Sequence, residues 1–180
     1  MERSLNTSRL TLRPATPEDI PFLLALHRLP ETTAYETNAG LDDAQIRRRF
    51  NNQVQAMVRL PEEGAMLWIV YSGCVPIGDV SISCNWEITR EWELGYHLLP
   101  AYWGLGYAAE AVQAAVSFAF SHFRIHRLAA FIHAGNTRSR KLAARIGMRL
   151  EGRIRDTRLV DGVYGDECVY GFLESDFIKR

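Results

Sequence analysis

The segment that most limits the fold lies between residues 66 and 133. Three strand-like stretches, 66–71 (MLWIVY), 75–84 (VPIGDVSISC) and 91–99 (EWELGYHLL), follow one another, rich in β-branched and aromatic residues and separated by turn formers. A helix from about Gly106 to Phe123 comes next, with Val112, Ala115, Val116, Ala119 and Phe123 on its apolar stripe. After it, RLAAFIH (127–133) is short and almost wholly apolar. A half-exposed strand alternates, whereas a strand covered on both faces need not. The pattern therefore predicts an antiparallel meander joined through a helix to an inner strand of a mixed sheet.

The flanking segments extend this plan. Residues 9–14 (RLTLRP) alternate as a half-buried strand does, and Thr16-Pro17-Glu18-Asp19 supplies a hydroxyl cap, a proline at the first helical position and acid in the first turn. Ile20, Leu23, Leu24 and His27 carry that helix to about Leu29. After a polar loop over 30–40, Asp42 with Gln45 opens a second helix whose apolar positions are Ile46, Phe50, Val54 and Met57 or Val58; Arg47, Arg48 and Arg49 form its solvated side. A fourth helix runs from Asn136 to Gly147, and two strands, about 149–158 and 166–174, close the chain across an Asp161-Gly162 turn. The fold class is α+β, a mixed α/β arrangement. It forms a single domain over residues 1–180, with a mostly antiparallel twisted sheet of about six to seven strands and four helices on its faces.

Composition narrows the function. At 180 residues and 47% apolar content the chain buries roughly 70% of its unfolded surface, so its core needs neither disulfides nor a structural metal. Lys plus Arg equal Asp plus Glu at 21 each, which argues against a protein that coats nucleic acid or an anionic membrane by bulk charge. Cys74, Cys84 and Cys168 are odd in number and far apart, as suits reduced thiols. The N-terminus MERSLNTSRL has no apolar leader and no window is apolar enough to span a bilayer, so a cytoplasmic protein is expected. His122 and His126 stand at i, i+4, but no H-E-x-x-H surrounds them, and no metal is expected there.

The chemistry concentrates in residues 91–112. A strand and a proline lead to Gly104-Leu105-Gly106, which opens a helix. Glycines there let backbone N–H groups close on a ligand, and the helix N-terminus adds positive potential, so a phosphate or pyrophosphate is the natural guest. The same glycines also suit a plain strand-to-helix turn. Gly104 to Ala109 satisfies G-x-G-x-x-A as well, but the dinucleotide reading needs an acidic residue about 20 positions on, where the chain has RLAAFIHAG.

A second segment, residues 136–148 (NTRSRKLAARIGM), decides among these. With AYWGLGYAAEA some thirty residues earlier, the sequence resembles the GNAT superfamily of acetyl-CoA-dependent N-acetyltransferases, and within it the ribosomal-protein N-acetyltransferase-like branch. The resemblance runs from TSRLTLRPATPEDIP through ELGYHLLP to Tyr170-Gly171-Phe172-Leu173. It implies an acyltransferase using acetyl-CoA, without metal, on a primary amine by direct attack in a ternary complex. The implied acceptor is a protein N-terminal amine; a polyamine, antibiotic or amino-acid derivative is the alternative, as is a non-catalytic CoA-binding module. A ribosome- or RNA-associated role for the arginine-rich face is a further class, although direct nucleic-acid binding is not expected. Monomer and homodimer both remain open.

The resemblance also assigns roles. The strand before the glycine turn faces the acceptor, which makes Glu93 the candidate base, with Glu91 two residues earlier on the same face. That strand is expected to splay from its neighbour near Leu98-Leu99, where a backbone N–H meets the thioester carbonyl. Cosubstrate contacts fall on Leu98, Leu99, Trp103, Gly104, Leu105, Gly106, Tyr107, Ala108, Asn136, Ser139 and Lys141. Asn136 also stands where a helix N-cap belongs. Ser139 is the candidate proton donor to the departing thiolate, with a water or no acid as alternatives. Arg140, Lys141 and Arg145 are candidate phosphate partners. Tyr35, Glu36, Asn38, Asp161, Tyr164 and Asp166 flank the implied acceptor pocket, and Trp86 and Trp92 are its candidate walls. Two positions depart from the family: Ala101 replaces a Gln or Arg, and Ala143 replaces a tyrosine.

The zero net charge hides a division. Residues 1–100 carry nine basic and thirteen acidic groups, residues 101–180 twelve and eight, and residues 136–158 eight and two. The proposed amine-side carboxylates lie in the acidic half and the phosphate grip in the basic one.

Overall fold

A computed structural model describes residues 3–36, 41–59 and 65–178. The alternating N-terminal segment forms β2 (Thr11–Pro14), preceded by a two-residue β1 (Leu5–Asn6) too short to show a period. Thr16 and Asp19 close a capping box over one turn of 3₁₀ helix, which runs into α1 (Ile20–Leu26). The predicted loop begins with a four-residue α2 (Pro30–Thr33), and α3 (Asp43–Arg59) starts at a reciprocal pair in which Asp42 N–H donates to Gln45 Oε1 and Gln45 N–H to Asp42 Oδ1. Ile46, Phe50, Val54 and Met57 form the buried stripe of α3. Asn38 and the Val58 side chain lie outside the described residues.

The meander is β3 (Ala65–Ser72), β4 (Val75–Trp86) and β5 (Glu91–Leu98). After α4 (Tyr107–His122) come β6 (Arg127–His133), α5 (Thr137–Arg145), β7 (Arg149–Val160), β8 (Val163–Leu173) and a short α6 (Glu174–Ile178). Asp161 and Gly162 have φ of 49° and 77°, as the two central residues of a type I′ hairpin turn require.

The eight strands of the described residues form one sheet in the order β1-β2-β3-β4-β5-β6-β8-β7, in which β5 with β6 is the parallel pair. Helices α1 and α3 cover one face; α4 and α5 cover the other, where Phe118 meets Trp68 and Phe120 meets Phe172 edge-on. The mixed, mostly antiparallel sheet is as expected. Among the described residues the count rises above the expected six to seven strands and four helices because β1, α2 and α6 are too short for periodicity to reveal.

Candidate active site

The parallel pair is incomplete. Glu91, Trp92 and Glu93 align with Arg127, Leu128 and Ala129, and no further pairing joins β5 to β6. The strands part after Glu93, earlier than the Leu98-Leu99 splay expected, and the gap is a window through the sheet. Leu99 N–H donates to Ile77 carbonyl oxygen at 2.8 Å, on the β4 side. Because successive residues of a strand send their N–H groups to opposite edges, those of Leu98 and Tyr96 point into the window. The Leu98 carbonyl, on the same edge, accepts from Trp103 Nε1 at 2.8 Å.

On the α4 and α5 side of the window lies a cavity of about 340 Å³. Its walls include Leu98, Trp103, Gly104, Gly106, Ala108, Asn136, Ser139 and Lys141, with Arg138 and Arg145 on the same stretch of α5. Gly104 and Gly106 have φ of 78° and 82°, a left-handed conformation that costs most other residues 1–2 kcal/mol or more. A Cβ on Gly104 would meet nothing within 4 Å, so the turn leaves open space against its backbone. The N-terminal N–H groups of α4 begin here. Arg138 lies 3.7 Å over the Trp103 ring, and Asn136 Oδ1 accepts from Ser139 N–H at 3.0 Å as the N-cap of α5. Arg9 braces the turn from outside by donating to Leu105 carbonyl oxygen and pairing with Glu110 at 2.6 Å. This arrangement of glycines, helix terminus and three cations fits a pyrophosphate and its attached nucleotide.

On the α1 and α3 side lies a second cavity, of about 470 Å³. Glu93, Asp79, Glu36, His27 and His97 line it, along with Ser81, Ser83, Arg49 and Arg158. Glu93 Oε2 accepts from Asn85 Nδ2 at 3.0 Å. His97 stands 3.5 Å from Asp79 and 3.7 Å from Glu36. Burial alone would lower the His97 pKa, but these two carboxylates outweigh it and push it up to about 10. Burial would likewise raise Glu36; His97, Arg158 and Arg49 hold it below the usual carboxylate range instead. The two cavities share Tyr35, Glu36, Tyr96, His97, Asn136 and Ser139. At that shared wall Tyr96 Oη donates to Ser139 carbonyl oxygen at 3.3 Å, and burial, first among its causes, pushes the phenol up to about 12.

The family model for the acetyltransferase (GNAT) domain matches residues 9–149. The chain belongs to the GNAT acetyltransferase family. It is 27% identical over 173 residues to the uncharacterized N-acetyltransferase YoaA of Bacillus subtilis (strain 168), covering 94% of this chain and 96% of that one. Among solved structures, the spermidine N-acetyltransferase from Vibrio cholerae in complex with CoA and spermine superposes with a TM-score of 0.83 at 20% identity, covering 96% of this chain and 99% of that one. RimL, a ribosomal alpha-N-protein acetyltransferase in complex with coenzyme A, gives 0.81 at 20% identity, covering 97% and 99%. This chain is thus a GNAT N-acetyltransferase with the family's fold, and no helix among the described residues is long and apolar enough to cross a membrane.

Several expected site residues of this acetyltransferase stand elsewhere. Glu91 is turned away from both cavities, because Arg127 Nε donates to its Oε2 at 2.7 Å and also grips Glu151. Leu99 has its N–H consumed by Ile77, Leu105 is exposed beyond the turn, and Tyr107 packs under the Arg9 guanidinium at 4.5 Å. Arg140 faces the sheet, donating to Ala134 carbonyl oxygen and Tyr170 Oη; helical spacing puts Arg138, Lys141 and Arg145 on the cavity side. Trp92 is buried against Phe123 on the opposite face, and Trp86 is 69% exposed at the end of β4. Asp166 pairs with Arg153 at 2.6 Å, while Asp161 and Tyr164 stay exposed at or beside the hairpin turn. Ala143 is buried in the core, so the tyrosine position of other members faces inward here. His122 stacks on Phe118 with ring centroids 4.7 Å apart.

Sequence reasoning missed Tyr96, Arg138 and the His27–Asp79–His97 group. The first two carried a signal: Tyr96 shares the strand parity of Leu98, and Arg138 lies three residues before Lys141 on α5. The third comes from three elements far apart in sequence and carried none.

Proposed function

We propose that this enzyme transfers the acetyl group of acetyl-CoA to the α-amine of a protein N-terminus, by direct attack across the window between β5 and β6. The observation that carries the reading is the pair of cavities meeting at one wall, a cationic glycine-turned cavity on one side and an acid-lined cavity on the other. Gly104, Gly106 and the α4 terminus hold the pyrophosphate, with Lys141, Arg138 and Arg145 on the nucleotide phosphates. Glu93 takes a proton from the incoming ammonium, directly or through water, and the freed lone pair attacks the thioester carbon. Leu98 N–H stabilises the oxyanion that develops. As the C–S bond breaks, Ser139 or Tyr96 hands its hydroxyl proton to the thiolate, and the second proton of the attacking nitrogen, lost as the amide forms, passes through water to replace it. The high pKa of Tyr96 keeps its hydroxyl protonated at neutral pH. The reading treats residues 1–180 as one catalytic domain, and the three free thiols agree with a reducing cytoplasm.

A small polyamine is the second reading, since a spermidine N-acetyltransferase shares the fold. The acceptor cavity argues against it. Arg49 and Arg158 stand among its acids, Arg158 held by Glu167 and the Phe131 carbonyl oxygen, and a second ammonium would meet guanidinium charge there. Release of free thiol from acetyl-CoA tests this with three acceptors: a peptide with a free N-terminus, the same peptide blocked at that amine, and spermidine. Turnover is expected with the first alone; preference for spermidine would overturn the acceptor assignment.

The cosubstrate half has its own test. Gly106→Val places a β-branched residue at φ of 82°, with its Cβ 3.4 Å from Arg9 Nη2. The turn relaxes away from the binding shape, at a cost of about 2 kcal/mol, so KM for acetyl-CoA should rise roughly 30-fold. An unchanged KM would remove the turn from the cosubstrate site.

A further inference from the structure

The floor of the acceptor cavity holds three groups from three elements: His27 just after α1, Asp79 on β4 and His97 on β5. His27 and Asp79 are only 6% and 2% exposed. His27 Nε2 and His97 Nδ1 converge on a single carboxylate oxygen, Asp79 Oδ1, at 3.2 and 3.5 Å, and all three donor atoms lie within 4.8 Å of one another. Charge-assisted N–H···O bonds run at about 2.7–2.9 Å. Donors around a tetrahedral ion with bonds of about 2.0–2.1 Å stand roughly 3.4 Å apart. The two spacings to Asp79 Oδ1 bracket the second distance, the shorter being also within hydrogen-bond range, and the two imidazole nitrogens would close on each other by up to about 1.4 Å to meet one ion. His97 Nδ1 is also a buried nitrogen that makes no well-formed hydrogen bond. Its other ring nitrogen, Nε2, faces Glu36 Oε1 at 3.7 Å, the arrangement by which a carboxylate fixes the tautomer of a metal-bound imidazole. Packing limits both rings: His27 lies edge-on to Phe50 at 4.8 Å and 4.2 Å from His97.

We propose that His27, Asp79 and His97 form a binding site for a zinc-class divalent cation on the floor of the acceptor cavity. Two imidazole nitrogens and one carboxylate oxygen suit such an ion, whereas magnesium and calcium favour all-oxygen sets, and the incoming ion displaces to solvent the proton that the two carboxylates otherwise hold on His97. Three protein donors leave a fourth position, which opens on the cavity they line and takes water or an oxygen of the acceptor. The ion would tie α1 to the middle of the sheet. Its retention does not depend on the acetyl-transfer reading, because binding requires neither acetyl-CoA nor an amine.

The test titrates the metal-free 180-residue chain with Co²⁺, follows the visible absorption of a low-coordinate cobalt site, and then adds Zn²⁺. One cobalt per chain should bind, and zinc should displace it. His97→Gln should abolish uptake, and Glu36→Gln should weaken it roughly 10- to 100-fold by removing the carboxylate behind the imidazole. His122→Gln, outside the cluster, should bind as the unaltered chain does. Melting curves identify which variants are folded, and His27→Gln serves as a second ligand variant if His97→Gln is not. No saturable uptake by the folded unaltered chain would overturn the site. Undiminished uptake by either folded ligand variant would do the same.

Discussion

Glu93→Gln is expected to lower kcat by roughly 10²- to 10⁴-fold while leaving KM for acetyl-CoA unchanged, the range that a positioned general base contributes. The amide keeps the size of the carboxylate and still accepts from Asn85, so the cavity wall and the strand pairing stay in place. What it loses is the capacity to take the ammonium proton. The expected profile is an activity that recovers as pH rises through the α-amine pKa of about 8, because solvent then supplies neutral amine without help. Glu91→Gln is the matched control. Its carboxylate is engaged with Arg127, so the change should cost at most about 1 kcal/mol of stability and leave kcat alone. Equal turnover by Glu93→Gln and the unaltered enzyme at neutral pH would refute the assignment.

The second large effect concerns the sheet itself. A Cβ on Gly78 would lie 2.2 Å from the His97 carbonyl oxygen and 2.9 Å from Leu98 Cα, contacts with backbone that no side-chain rotation relieves. Gly78→Ala must therefore push β5 away from β4 where the Leu98 N–H turns into the window. Overpacking of this kind costs about 3 kcal/mol, which for a domain of this size lowers Tm by roughly 6–12 °C. The folded fraction should also turn over more slowly, since the oxyanion donor is displaced with the strand. A variant with unaltered Tm and unaltered kcat would show that the strands meet differently here.

The fold was largely legible because its long elements carry long periods. The α3 stripe of Ile46, Phe50, Val54 and Met57 is buried as spaced, and β6 spans residues 127–133 as read from its apolar run. The Asp161-Gly162 turn is likewise where its residue types require it. The site was legible only where its residues sit on one contiguous motif. Gly104, Gly106, Asn136, Ser139 and Lys141 reach the cosubstrate cavity because turn and helix geometry fix them locally. Glu91 and Glu93 are indistinguishable by strand parity, and the long-range pairing of Glu91 with Arg127 separates them. Arg140 and Arg138 differ by half a helical turn, so their exchange of roles depends on which face of α5 meets Tyr170. The starting point of the splay is a register property of β5 and β6, and no local pattern encodes it.

A crystal structure of the enzyme with bound coenzyme A tests the central claim most directly. The pyrophosphate is expected on Gly104 and Gly106, the pantetheine arm passing Leu98 in the gap between β5 and β6, and the sulfur at the wall formed by Ser139 and Tyr96, facing the cavity that holds Glu93. Coenzyme A bound away from the window, or with its sulfur shut off from that second cavity, would contradict it.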